Sequence, residues 1–70
     1  MNIEDLRAEI ARKNLTIPKL AKLIKMDKKT LYTRMQGKTS FNQKEISSIA
    51  RVLSLSPPQI LSIFFADKVS

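Results

Sequence analysis

Five short segments of this 70-residue chain place apolar residues at helical spacing, and a capping residue precedes each of them. In the first segment, Leu6 and Ile10 are four residues apart and Asn2 stands at the N-cap position. In the fourth, Asn42 and Glu45 form a capping-box pattern. Because no segment alternates apolar and polar residues as a half-buried strand does, the sequence predicts an all-α fold. The predicted helices cover residues 3–13, 17–25, 28–36, 43–53 and 57–65, and the other N-caps are Thr16, Asp27 and Ser56.

The predicted second and third helices are separated by only two or three residues. So short a connection fits the sharp, angled turn of a helix-turn-helix and does not allow the two helices to run antiparallel. The third helix is followed by Gly37, which can adopt the left-handed conformation that ends a helix.

The length of the chain allows one domain, which we place at residues 1–66, followed by a C-terminal tail at 67–70. About 43% of the residues are hydrophobic, which is enough for one small core. No apolar run approaches the roughly 18 residues of a membrane span, and acidic residues interrupt the first twelve positions where a signal peptide would begin. We therefore expect a cytoplasmic protein.

The chain contains neither cysteine nor histidine. These residues supply most zinc sites, proton shuttles and activated nucleophiles in proteins. The sequence therefore argues against an enzyme, and it predicts no catalytic residue, cofactor or metal.

Positive charge is concentrated in the middle of the chain. The net charge is +7 overall, but residues 10–44 hold ten Lys and Arg against Asp27 alone, a net of +9. Such a concentration of positive charge is typical of a protein that binds nucleic acid. The alternative is a solvated lysine face that only keeps the protein soluble.

Three motifs resemble the Cro/repressor-type (XRE-like) helix-turn-helix family: Leu15-Thr16-x-x-x-Leu20-Ala21, Thr30-Leu31 and Gly37-Lys38. The resemblance covers roughly residues 2–66 and is nearest to small Cro-like regulators of phages and prophages of Gram-positive bacteria. That nearer likeness rests on Lys28-Lys29-Thr30-Leu31-Tyr32, Phe41 and Ile63-Phe64-Phe65-Ala66. The family resemblance implies a compact, five-helix, lambda-repressor-like DNA-binding domain whose third helix lies in the major groove.

Three features depart from the pattern of that family. Ile17 stands where many members have a glutamine that helps to hold a phosphate, and Lys25 stands in the turn where glycine is common. A positive φ at Lys25 would carry an energetic cost. Ile10 and Met35 match positions that form a buried Arg–Glu pair in some phage repressors, so we expect an apolar contact in its place, which is often no less stable.

The third helix carries the predicted base contacts. Since Leu31 and Met35 take the inward stripe, four side chains should project outward. Lysine can donate to the acceptors of guanine, and threonine can bond to a base or contact the thymine methyl group. The predicted base contacts are Lys28, Lys29, Thr33 and Tyr32. The alternative for Lys28 and Lys29 is that they are only solvated. Tyr32 can instead pack at the rim of the core or contact a phosphate. Arg34 is either simply exposed or near the DNA backbone.

Phosphate contacts should flank the third helix, because they set register and supply most of the affinity. The predicted phosphate contacts are Thr16, Lys19, Lys38, Thr39, Ser40, Asn42 and Lys44. For Thr16 and Asn42, capping is the stronger interpretation. The capping role coexists with phosphate binding only if a backbone N–H meets the phosphate.

The fifth helix has more apolar residues than one buried stripe requires. One set should close the core, and the other can form an isologous dimer patch or bind a partner. The predicted dimer or partner surface is Ile60, Ile63, Phe64 and Phe65. The alternative is that all of them cover the core of a monomer.

The sequence thus predicts a sequence-specific DNA-binding transcriptional regulator, Cro-like or repressor-like, whose partner is an operator in double-stranded DNA. A rival interpretation is an antirepressor or modulator that binds a repressor protein through its apolar C-terminal helix or its helix-turn-helix face. A peripheral membrane protein is disfavoured, because the lysines lie on several short helices and not along one amphipathic face.

Overall fold

A computed structural model describes residues 2–65, and this part of the chain is built from five α-helices with no β-strand. The predicted all-α, five-helix architecture is confirmed. Each helix begins at the predicted residue, and all but the fourth end one or two residues earlier than predicted. The predicted tail at 67–70 and the domain limits at Met1 and Ala66 lie outside the described residues. The helices are α1 (Ile3–Arg12), α2 (Ile17–Leu23), α3 (Lys28–Met35), α4 (Gln43–Leu53) and α5 (Pro57–Phe64).

A polar side chain caps the start of every described helix. The side chains of Asn2, Thr16 and Asp27 accept hydrogen bonds from backbone N–H groups in the first turns of α1, α2 and α3. The two remaining caps, at Asn42 and Ser56, belong to complete capping boxes. Each such cap contributes about 1 kcal/mol, which explains why the helix starts follow so closely from the sequence.

A left-handed residue lies one or two positions after the end of each of the helices α1 to α4. In each case the N–H of that residue bonds to the carbonyl three positions back, and the next N–H bonds to the carbonyl five positions back. This pair of hydrogen bonds is the Schellman motif. It provides donors for carbonyl groups that have no partner within the helix. The left-handed residues are Asn14, Lys25, Gly37 and Ser54.

All five helices contribute to one apolar core. Ile10 of α1 and Met35 of α3, for which an apolar contact is predicted, are 4% and 3% exposed and belong to this core. No charged or polar side chain is buried among residues 2–65. The core residues are Leu6, Ile10, Leu20, Ala21, Leu31, Met35, Ile49, Leu53 and Ile63.

The two ends of the described chain meet where α5 packs against α1. The Asn2 N–H donates to the Ile63 carbonyl over 2.7 Å, and the Ile63 side chain is only 2% exposed. The prediction that Ile63 belongs to a dimer or partner surface is therefore wrong. Because α5 contacts both α1 and α4, the inward stripe of α5 passes through Ile63.

The described helices form neither a membrane span nor a metal-binding cluster. No helix within residues 2–65 is long and apolar enough to cross a bilayer. In the same residues, no three Asp, Glu, Cys or His side chains lie close enough to hold a metal ion together.

Candidate nucleic-acid interface

Helices α2 and α3 form a helix-turn-helix with a tightly bonded turn. After α2 ends at Leu23, the N–H of Lys25 bonds to the Lys22 carbonyl over 3.2 Å, and the N–H of Met26 bonds to the Ala21 carbonyl over 2.8 Å. Lys25 has a φ of +58°, so the chain does adopt the strained conformation that a non-glycine residue tolerates poorly. Four residues thus separate the helices, and hydrogen bonds fix their relative direction.

The outer face of α3 presents three of the four predicted base-contacting side chains to solvent. Lys28 and Lys29, in the first turn, are exposed, and Tyr32 is 42% exposed. The opposite side of the helix buries Leu31 and Met35, as the spacing predicts. The N-terminal end of α3 therefore presents two exposed ammonium groups.

Thr33 is less available than the other three. Its side chain is half-buried, and its hydroxyl donates to the Lys29 carbonyl over 2.9 Å. Because the hydroxyl hydrogen of Thr33 is already used in this bond, its oxygen can only accept a further hydrogen bond. The methyl group of Thr33 can still make an apolar contact.

The predicted phosphate contacts are all exposed and lie in two regions, the start of α2 and the stretch from the α3–α4 loop into α4. Two of them are caps: Thr16 Oγ1 accepts from the Lys19 N–H over 3.4 Å, and Asn42 Oδ1 accepts from the Glu45 N–H over 2.7 Å. Those two side chains therefore support helix starts, as the capping interpretation expected. The exposed ammonium groups in the two regions are those of Lys19, Lys38 and Lys44.

A shallow groove of about 240 Å³ joins the helix-turn-helix to the start of α4. Its walls include Lys25 from the turn and both Asn42 and Lys44 from the start of α4. The turn and two of the predicted phosphate contacts, which are far apart in sequence, thus line one groove.

Arg34 is paired and half-buried, so the interpretation of a simply exposed side chain is wrong, while its placement near the DNA backbone stays a prediction. Its Nε lies 3.0 Å from the Glu45 carboxylate, and Nη1 donates to Thr39 Oγ1 over 3.0 Å. Its side chain is 23% exposed. Sequence reasoning assigned Glu45 only to the capping box, and no periodicity within one helix reports a pair that is eleven residues apart.

The accessible apolar surface of α5 differs from the predicted one. Phe64 packs its ring against Phe41 in a T-shaped contact with 5.5 Å between centroids, whereas Leu61, which was not in the predicted surface, is 55% exposed. Ile60 and Phe65 are half-buried and line a groove of about 470 Å³ beside α4. No charged side chain lines that groove.

Comparison with known proteins identifies one family. Residues 5–66 match the model of the Cro/C1-type HTH DNA-binding domain, which is most of the chain and includes all of α2, α3 and the α3–α4 loop. No curated protein and no solved structure gives a significant match.

Proposed function

We propose that this chain, which belongs to the Cro/C1-type HTH DNA-binding domain family, is a sequence-specific transcriptional regulator of the phage Cro or repressor kind. The observation that carries the proposal is the outer face of α3. Lys28, Lys29 and Tyr32 project from the end of α3 that follows the turn, within the segment of net charge +9. The role is one of binding, in the cytoplasm where the operator DNA lies.

Base recognition is assigned to the first half of α3. A helix that enters the major groove reaches base edges with its N-terminal residues. The ammonium groups of Lys28 and Lys29 donate to the O6 and N7 atoms of guanine, Tyr32 bonds to a base or phosphate, and the Thr33 methyl group contacts thymine. The hydroxyl of Thr33 acts only as an acceptor, since its proton is bonded to Lys29.

Phosphate binding is assigned to both flanks of α3. Lys19 lies at the start of α2, while Lys38 and Lys44 lie after α3, so the backbone of the duplex is held on two sides. Thr16, Thr39, Ser40 and Asn42 add polar groups at the same flanks. If about six phosphates are neutralised, the logarithm of the association constant falls with the logarithm of salt concentration at a slope of about −5.

The test is a selection of bound DNA at physiological salt, followed by titration of the selected site. We expect the triple variant Lys28→Ala, Lys29→Ala, Thr33→Ala to lose at least about 100-fold in affinity, because good base contacts are each worth about 1–3 kcal/mol. The matched control is the double variant Arg7→Ala, Arg51→Ala, which removes the same charge from exposed positions outside residues 10–44. Equal losses in the two variants, or binding that is insensitive to salt, would overturn the assigned surface.

We also propose that two copies bind DNA together. Helix-turn-helix proteins commonly read two half-sites one helical turn apart, because one domain contacts few base pairs. The surface that supports this is the uncharged part of α5 around Leu61, Ile60 and Phe65. A palindromic site from the DNA selection is the expected result.

The same surface favours a second candidate function. An exposed leucine on α5, together with an uncharged groove lined in part by Ile60 of the same helix, also suits an antirepressor that docks on a repressor protein. Co-purification with a repressor, together with no DNA affinity of the isolated protein, would establish this second function and exclude the first.

A further inference from the structure

Arg34 joins three parts of the molecule at the end of α3. Its Nε donates to Glu45 on α4, its Nη1 donates to Thr39 in the loop, and both hydrogen bonds are 3.0 Å long. Glu45 is held in turn, because its Oε1 accepts the backbone N–H of Asn42 over 2.9 Å. We call the four residues Arg34, Thr39, Asn42 and Glu45 the Arg34 bracket.

The bracket and the end of α3 together hold the loop over residues 36–42. At the start of the loop, Gly37 and Lys38 donate their N–H groups to the carbonyls of Arg34 and Thr33 over 3.0 and 3.3 Å. In its middle, Thr39 is bonded to the Arg34 side chain, and at its end Asn42 is bonded to Glu45. Hydrogen bonds therefore hold the loop at its start, its middle and its end.

We propose that Arg34 is a positioning residue for DNA binding: through Glu45 and Thr39 it sets the conformation in which the α3–α4 loop meets the phosphate backbone. The proposal rests on the proposed function, since that loop carries Lys38 and Ser40. A loop that is already ordered loses less conformational entropy when it binds. The proposal assigns Arg34 no contact with DNA, because its Nε and Nη1 are bonded to Glu45 and Thr39 and its side chain is 23% exposed.

Removal of the negative charge of Glu45 should change DNA affinity in opposite directions under this positioning role and under simple electrostatic attraction. Glu45 is the only acidic residue between Asp27 and Asp67, and it lies next to predicted phosphate contacts. By Coulomb attraction alone, removing its negative charge strengthens binding to a polyanion. By the bracket, removing that charge weakens binding. Arg34 Nε lies 3.0 Å from both oxygens of the Glu45 carboxylate and Oε1 also accepts the Asn42 N–H, whereas an amide keeps one acceptor oxygen and no charge.

The experiment compares Glu45→Gln with Glu9→Gln on the selected DNA site across a range of salt concentrations. Glu9 is the matched control, because it is also a helical glutamate paired to an arginine, Arg12, and it lies on α1 away from the loop. Glutamine also occupies the same position of the capping box at Ser56, so Glu45→Gln is compatible with the start of α4. Circular dichroism at the assay temperature verifies that both variants are folded.

We expect Glu45→Gln to bind about 3- to 10-fold more weakly and to lower the magnitude of the salt slope by about one, as if one phosphate contact were lost. Glu9→Gln should bind as tightly as the wild type or more tightly. Backbone amides of the loop should also exchange hydrogen faster in free Glu45→Gln than in the free wild type.

Three results would overturn the inference while leaving the proposed function in place: binding by Glu45→Gln as tight as the wild type, a weaker complex with an unchanged salt slope, or unchanged amide exchange. A wild-type protein that binds no DNA would overturn the proposed function, and the inference with it. The hydrogen-exchange result would then still report whether the bracket orders the loop.

Discussion

At the scale of single residues, the backbone conformation of Lys25 carries a conformational free-energy cost that the turn of the helix-turn-helix requires. The turn between α2 and α3 requires a left-handed residue, and lysine supplies it at a φ of +58°. An L-residue with a side chain pays roughly 1–2 kcal/mol in this region, whereas glycine does not. The sequence predicts this cost at Lys25, and the structure shows that lysine does adopt the left-handed conformation there.

Substitution of Lys25 should therefore favour glycine over alanine. We expect Lys25→Gly to be about 1 kcal/mol more stable than Lys25→Ala in the free energy of unfolding, because only glycine relieves the positive φ. The measurement is urea unfolding followed by circular dichroism. The order should reverse at Lys22, where the backbone is helical and Lys22→Gly should be about 1 kcal/mol less stable than Lys22→Ala. The same order at both positions would contradict the account of the turn.

Arg34 marks the limit of prediction from sequence at this scale. Its neighbours Leu31 and Met35 were assigned inward by helical spacing, and they are buried. The partner of Arg34 is set by how α3 and α4 cross, which periodicity within a helix does not describe. The positions of α3, α4 and the loop between them had to be known before Arg34 could be paired with Glu45 and Thr39.

At the scale of helices, beginnings were predictable and ends less so. A start is encoded by one side chain that accepts a backbone N–H, as at Ser56, and such residues are easily recognised. An end is encoded by a residue that adopts the left-handed region, and only Gly37 carries the usual signal. Asn14 and Ser54 were missed, although the apolar residues that follow them, Leu15 and Leu55, are a feature of the same motif.

The cap of α5 provides a test of helix stability that is separate from DNA binding. We expect Ser56→Ala to destabilise the protein by about 1 kcal/mol, because it removes the acceptor for the Gln59 N–H and breaks the capping box. Ser62→Ala, at an exposed position inside the same helix, should leave the stability unchanged or raise it slightly. Thermal unfolding of the two variants measures the difference. Equal melting temperatures would show that the capping box does not contribute to stability.

At the scale of the whole molecule, the orientation of α5 could not be predicted because its apolar residues are in excess. Helical spacing allowed more than one buried stripe, and the choice depends on α5 packing against α1 and α4 at once. The outcome buries Ile63 and leaves Leu61 exposed. The charge distribution, by contrast, could be assigned from the sequence, since it depends on composition along the chain and not on packing.

Self-association is therefore expected to depend on Leu61. We expect Leu61→Glu to abolish any dimer formed through α5, because a charge would enter an uncharged apolar contact. The stability of the monomer should change by no more than about 0.5 kcal/mol, as is usual for an exposed position. Sedimentation equilibrium measures the first quantity and urea unfolding the second. Ser62→Glu is the matched control, as Ser62 is exposed on the same helix. Unchanged association in Leu61→Glu would move the dimer surface away from α5.

The bond between the Asn2 N–H and the Ile63 carbonyl has a consequence for the order in which the protein forms. Contacts between α2 and α3 span a few residues and close quickly, whereas the contact of α1 with α5 closes almost the entire described chain and is slow for that reason. During synthesis, α1 is translated before the other four helices, but its partner Ile63 is added only near the end of α5. Contacts between α2 and α3 can thus form before α1 contacts α5, and the first of the five helices to be translated is among the last to reach its final contacts.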